Sequence, residues 1–207
     1  MKGVITADII NSTKIDITHR DLLLKTLQHI TDDLKRKFTL QIEIYRGDSF
    51  QVLIDDAIHG MLCAVLIRAG LMYLAPEKEK WDARLSLGIG NVQYENKHIT
   101  MSDGDAFRLS GRNFEDIGKR KLIATTTSQQ INDDLTLICA FADDVISNWS
   151  KKQAELMYKV LLDNTNRKDL AKTYGTSTQN IGKTLRAAKE NLITMFLKRY
   201  ESLIKNL

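Results

Sequence analysis

The sequence predicts an α+β domain over residues 1–148 and an all-helical segment over residues 149–207. Three observations lead there. Before residue 148, short β-rich runs alternate with amphipathic stretches in the order β-α-β-β-α-β-α-β, the pattern of helices packed on a sheet. Beyond Ser150 the apolar residues recur only at helical spacing. The charge also changes sign: residues 150–207 carry 12 Lys and Arg against 5 Asp and Glu, whereas residues 1–149 carry 18 against 21. A basic appendage on a mildly acidic body points toward nucleic acid.

Each element has its own signature. "KGVITADII" is β-rich and ends in "NST", whose side chains favour helix starts. From Asp21 to Phe38, the residues Leu22, Leu23, Leu27, Ile30 and Leu34 mark an amphipathic helix. "LQIEIY" and "FQVLI" form a hairpin around Gly47-Asp48, a two-residue turn whose first position takes positive φ. "AIHGMLCAVLIRAGLMYLAP" is an apolar helix closed before Pro76. "ARLSLGIGNVQY" is a strand or strand pair. "SDGDAFRLSGRNFEDIG" opens with Ser102 and Asp105 at capping-box spacing and continues as a helix. "RKLIATTT" is a further strand, and "SQQINDDLTLICAFADDVISNW" follows as helical segments.

Composition narrows the class. With 207 residues, 43% hydrophobic and 27% charged, the chain can bury a sizeable core. A single proline and 11 glycines leave no room for a proline-rich linker or a low-complexity tail. No uninterrupted apolar run reaches the ~18 residues of a membrane span, and "MKGVITADII" lacks the pattern of a signal peptide. A cytoplasmic protein without a membrane partner is expected. Cys63 and Cys139 sit inside apolar runs and read as reduced core residues. His19, His29, His59 and His98 are scattered without ligand spacing, so no zinc site is expected.

The most informative stretch is "RKDLAKTYGTSTQNIGKTLRAAKENL". A short helix from Arg167 to Tyr174 stops at Gly175, which can take the left-handed conformation. Thr176 or Ser177 then caps a second helix, on which Ile181, Leu185, Ala188 and Leu192 face inward. This is helix-turn-helix spacing, and it resembles bacterial regulators with Asp-Leu-Ala, a turn glycine and a Ser/Thr-Gln start. The residues that such a motif places in the major groove are Ser177, Thr178, Gln179, Asn180 and Lys183, with Thr184 and Arg186 behind. Gln and Asn can pair with adenine, while Lys and Arg serve guanine or phosphate. A solvated face of an ordinary helical bundle is the alternative. Upstream, Leu156, Val160 and Leu161 supply a third wall. Downstream, "LITMFLKRYESLIKNL" is more apolar than a three-helix unit needs, so it docks on the first domain or pairs with a second copy, and a homodimer is expected.

In the first domain, Asp8 ends the first strand and Asp48 sits at the hairpin tip. If that strand and hairpin are neighbours, both carboxylates meet at one sheet edge. Two hard oxygen ligands plus a backbone carbonyl suit Mg²⁺ that borrows its remaining ligands from phosphates. The backbone N–H groups of Asn11, Ser12 and Thr13, at an expected helix start, would receive those phosphates. Singly, each acid is explained as a cap or turn residue.

"ADIINST", "RGDSF", "ARLSLGIG" and "GDAFRLSGR" stand in the order, and at roughly the spacing, of class III nucleotidyl cyclase catalytic domains, which the first 125 or so residues resemble. With the helix-turn-helix behind it, the whole chain resembles the SatD family of small bacterial proteins. The resemblance implies a ferredoxin-like, cyclase-like βααββαβ sheet domain. It implies Asp8, Asp48 and the Ile9 carbonyl as metal ligands, Gly47 in the nucleotide-binding hairpin, and Arg112 as the arginine steadying a triphosphate. Arg108 stands where cyclases keep a ribose-orienting asparagine, and Ile44 where they keep a base-selecting lysine. Cyclisation is therefore not expected, and Arg108 either crowds the sugar or binds another phosphate. The sequence then describes a regulator that senses a nucleoside triphosphate or related nucleotide with Mg²⁺ and binds DNA. An active Mg²⁺-dependent nucleotidyltransferase, cyclase or oligonucleotide synthase with a partner-binding helical unit is the rival. A protein-interaction module with vestigial aspartates is a third.

Overall fold

In the computed structural model, which describes residues 1–207, the first strand, β1 (Lys2–Ile9), is buried on both faces, as a central strand must be. It pairs antiparallel with β3 (Ser49–Ile54) on one side and β4 (Ala83–Gly90) on the other. β2 (Leu40–Tyr45) extends the sheet beyond β3, and β7 (Leu122–Thr125) lies parallel to β4. The order β2-β3-β1-β4-β7 makes a five-stranded mixed sheet, and β5 (Val92–Tyr94) with β6 (Asp103–Gly104) forms a separate ribbon. With eight α-helices around it, the class is α+β.

The two sheet faces differ in kind. Ile5, Ala7 and Ile9 share one face with Phe50, Val52, Ile54, Leu85, Leu87 and Ile89. That face joins the main core built by α1 (Arg20–Lys35), α2 (Gly60–Leu74) and α4 (Gln129–Ser147). On the other face, Val4 and Leu53 meet Ala106 and Phe107 of α3 (Asp105–Glu115). Asp8 belongs to this second face with Thr6, whose hydroxyl lies 3.0 Å from that of Ser110. α3 sits so close to β4 that a Cβ on Gly88 would stand 2.1 Å from the Ala106 carbonyl oxygen.

The capping box expected at Ser102 and Asp105 is absent: Gly104 is the N-cap of α3, and the Ser102 hydroxyl accepts the Asn96 N–H instead. The capping box of the chain is Ser150 with Gln153, which opens α5 (Lys151–Asp163). The expected helical segments after β7 are one helix, α4, of 19 residues. Residues Ala57–Leu74 do match a membrane span in length and mean hydropathy (1.7), although 72% of that window is buried inside the protein as the central core helix.

The apolar core runs unbroken across residue 148. α5 packs along α2, where a Cβ on Gly70 would stand 3.0 Å from the Tyr158 ring, and the Tyr158 hydroxyl donates to buried Asp33 of α1 at 2.8 Å. α6 (Arg167–Thr173), α7 (Thr178–Ala187) and α8 (Glu190–Ile204) complete the chain. α8 docks its inner face, where the buried Tyr200 hydroxyl donates to the Ala57 carbonyl at 2.6 Å. Trp149 pins the start of α8 by donating to the Ala188 carbonyl at 2.8 Å.

Candidate functional site

Antiparallel pairing of β1 with β3 sets Asp8 opposite Ser49, one residue from the hairpin tip. The turn is longer than the sequence implies. Tyr45 pairs with Ser49, so three residues close the hairpin, and Arg46 (φ 57°) joins Gly47 (φ 79°) in the left-handed region. Asp48 is the third of them. Its carbonyl accepts the Ile9 N–H at 2.9 Å, which ties the tip to the end of β1 and puts both carboxylates on one cavity.

That cavity, of about 490 Å³, is lined by Asp8, Ile9, Ile10, Asn11, Ser12 and Thr13 at the end of β1, and by Asp48. Arg84 of β4 and Gly118, Lys119 and Lys121 of the loop before β7 close it. The expected helix start at Asn11–Thr13 is only a 3₁₀ turn, Ser12–Lys14, entered through Asn11 in the left-handed conformation (φ 55°). One turn offers little of a helix dipole, so the side chains carry the site's charge. Ser12 donates to Asp48 Oδ2 at 2.6 Å. Arg84, directly across from Asp8 in the register, grips it with both Nε (3.0 Å to Oδ1) and Nη2. This bond to Asp8 raises the Arg84 pKa.

A buried network stands behind the cavity. Arg68 of α2, fully buried, donates to both oxygens of Asp82 (2.8 and 2.9 Å), to Asp143 (2.7 Å) and to the Ser147 hydroxyl (2.9 Å). Asp82 and Asp143 in turn hold Lys121, the first at its Nζ (3.1 Å) and the second at its backbone N–H (2.7 Å). The Asp82 carbonyl accepts the Ile10 N–H at 2.9 Å. Both walls of the cavity therefore hang on one buried arginine.

The lining carries three cations against two carboxylates, and only Ile9 and Ile10 are apolar. Lys121 is paired with Asp82 and Arg84 with Asp8, which leaves Lys119 as the cation without a carboxylate partner, and so charged a surface suits a small polar ligand with anionic groups rather than an apolar one. No group of three or more His, Cys, Asp or Glu side chains converges anywhere in the chain. What the cavity offers a divalent cation is the pair Asp8 and Asp48, enough for Mg²⁺ only if a ligand supplies further oxygens.

Other expected residues lie elsewhere. Gly47 lines a neighbouring cleft of about 90 Å³ on the far side of Ser12 and Asp48. Arg108 is paired with Asp103 at 2.6 Å and Arg112 is exposed on α3, and neither lines the cavity. Ile44 packs against the main core, which accounts for an apolar residue there. Arg84, Lys119 and Lys121 carried no role in the sequence reading. The run "GKRK" before β7 was the legible signal for the lysines, whereas Arg84 is recognisable only from its cross-strand register with Asp8.

In the helical segment, α6 ends in paired bonds that close a helix C-terminus. Thr176 N–H reaches the Ala171 carbonyl (3.0 Å) and Gly175 N–H the Lys172 carbonyl (3.4 Å), with Gly175 left-handed (φ 58°). Ser177, rather than Thr176, caps α7 by accepting the Asn180 N–H at 3.1 Å. Leu170 and Ala171 of α6 meet Ile181 and Leu185 of α7 in the core, and Leu156 of α5 is buried with them. Ser177, Thr178, Gln179, Asn180, Lys183 and Arg186 are exposed. Thr184 is half-buried, its hydroxyl turned back to the Asn180 carbonyl (3.1 Å), and Asn180 donates one amide N–H to Thr176 (3.0 Å). Comparison with protein-family models and with curated proteins finds no match to this chain.

Proposed function

We propose that this chain is a nucleotide-responsive DNA-binding protein. The observation that carries the proposal is the outer face of α7, where Thr178, Gln179, Lys183 and Arg186 stand exposed and without a side-chain partner behind the turn that Ser177 caps, while the inner face is buried. That division suits a helix laid in the major groove, as does the basic excess of the segment. The order β2-β3-β1-β4 supports reading β1 to β4 with α1 and α2 as a ferredoxin-like unit of the cyclase-like kind. On it, the cavity is the ligand site.

Binding there involves an exchange of partners. A phosphate would take Arg84, and Asp8, so released, would be free with Asp48 and the Ile9 carbonyl to hold Mg²⁺, which would supply charge neutralisation to the bound phosphates. Lys119 and Lys121 balance the remaining charge. Arg108 and Arg112, which the cyclase resemblance puts on the nucleotide, stand outside the cavity, so a single chain holds its ligand without turning it over.

Titration calorimetry tests the ligand half. Mg²⁺ alone is expected to give little heat, because Arg84 occupies Asp8, while a nucleoside triphosphate binds more tightly with Mg²⁺ than without. Asp48→Asn should remove at least about tenfold in affinity, ~1.4 kcal/mol. Identical titrations for the two proteins would remove the metal site. The DNA half is tested by gel-shift selection from random duplexes at two salt concentrations. Gln179→Ala should relax specificity at one or two base pairs by ~1–3 kcal/mol each. Lys183→Ala or Arg186→Ala should weaken all sequences alike, with the salt slope reduced by about one. Absence of any enriched sequence, with Gln179→Ala behaving as wild type, would overturn it.

A further inference from the structure

α8 buries Ile193, Phe196, Leu197 and Tyr200 against the protein but leaves Leu192 and Met195 outward, 52% and 66% exposed. α4 does the same with Leu137 (58%) and Phe141 (68%). The two helices run antiparallel. Arg199 near the end of α8 pairs with Asp134 near the start of α4, while Trp149, just past α4, reaches Ala188, just before α8. Between them lies an apolar groove of about 450 Å³, eight of whose ten lining residues are hydrophobic.

We infer that this groove is the interface of a twofold homodimer. Leu192, Met195 and Phe141, which line the groove, together with Leu137 on the same helix as Phe141 present on the order of 400 Å² of apolar surface, within the range of the largest and often functional patch on a monomer. Counted on both partners and extended by its polar rim, it reaches the scale of roughly 1,200 Å² that a stable interface needs. The rim charges favour a second copy over an unrelated partner. Asp144, exposed and without an ion pair in its own chain, lies at one end of the groove, and Arg199 lies at the other. A twofold axis through the middle brings Arg199 of each copy, half-exposed beside its own Asp134 and with guanidinium donors to spare, to Asp144 of its mate, so the surface is complementary to itself. Only Ala188 and Lys189 separate α7 from α8, so pairing through α8 also fixes two α7 helices relative to each other. That consequence alone rests on the DNA-binding proposal, since a single motif of this size gains affinity from two half-sites.

Sedimentation of the full chain at micromolar concentration tests the interface. Wild type is expected at twice its 23.6 kDa mass. Phe141→Glu and Met195→Glu, on the two helices, should each run as monomers with unchanged circular dichroism and a cooperative melt, since both side chains are already mostly in solvent. Met101→Glu, an equally exposed apolar residue outside the groove, should stay dimeric. A monomeric wild type, or dimers that survive both groove substitutions, would overturn the interface. A dimer that binds no DNA supports the interface and counts only against the DNA reading.

Discussion

Arg68→Met is expected to lower the free energy of unfolding by ~3–5 kcal/mol, because it leaves a carboxylate buried without its partner. Asp82 has almost no solvent to turn to, and Asp143 little more. The loss of apolar packing is small, since Met fills most of the space. Lys121 keeps one bond to Asp82, which moderates the penalty without cancelling it. Arg68→Met combined with Asp82→Asn should therefore regain part of the loss, and urea denaturation of the three proteins measures it. If Arg68→Met alone costs less than the packing change, the network contributes no stability. The same substitution should loosen the cavity, since Asp82 and Asp143 hold Lys121.

Gly88→Ala is the second large effect, on the order of 3 kcal/mol of destabilisation. The added Cβ would meet the Ala106 carbonyl oxygen at 2.1 Å and the Ser110 nitrogen at 2.5 Å. Both are backbone atoms, so no side chain can swing aside. α3 would have to lift from the sheet, opening the small core of Val4, Leu53 and Phe107. Gly111→Ala, on the same helix with nothing within 4 Å, provides the control. It should be neutral or stabilise by ~0.5–1 kcal/mol, since alanine favours helix over glycine. Equal effects from the two substitutions would show that helix propensity, and not the approach of α3 to β4, sets the cost.

Much of the fold was legible because local pattern and local structure coincide. The spacing of Leu23, Leu27, Ile30 and Leu34 is that of a helix with one buried stripe, and α1 buries those residues. The turn at Gly175 and the cap at Ser177 depend on neighbours in the chain, so they could be read from the chain alone. The capping box at Ser102 could not be settled this way: the spacing was suitable, but the hydroxyl had a competing partner in Asn96. The length of the Arg46–Asp48 turn depended on the register of the hairpin, which is set by both strands together.

The candidate site divides along the same line. By itself the sequence determined the order of the main strands and helices, the polar outer face of α7, and the placing of Asp8 at a strand end and Asp48 at a hairpin tip, all of which follow from periodicity and turn chemistry within a few residues. Only the tertiary structure decided that Asp8 faces Arg84, that Lys119 and Lys121 close the cavity, and that Arg108 and Arg112 stand away from it. It also decided that α5 and α8 share a core with the sheet. These contacts join residues tens of positions apart, through strand pairing and helix docking. Such pairings depend on which surfaces bury each other best, a property of the folded whole that no single segment carries.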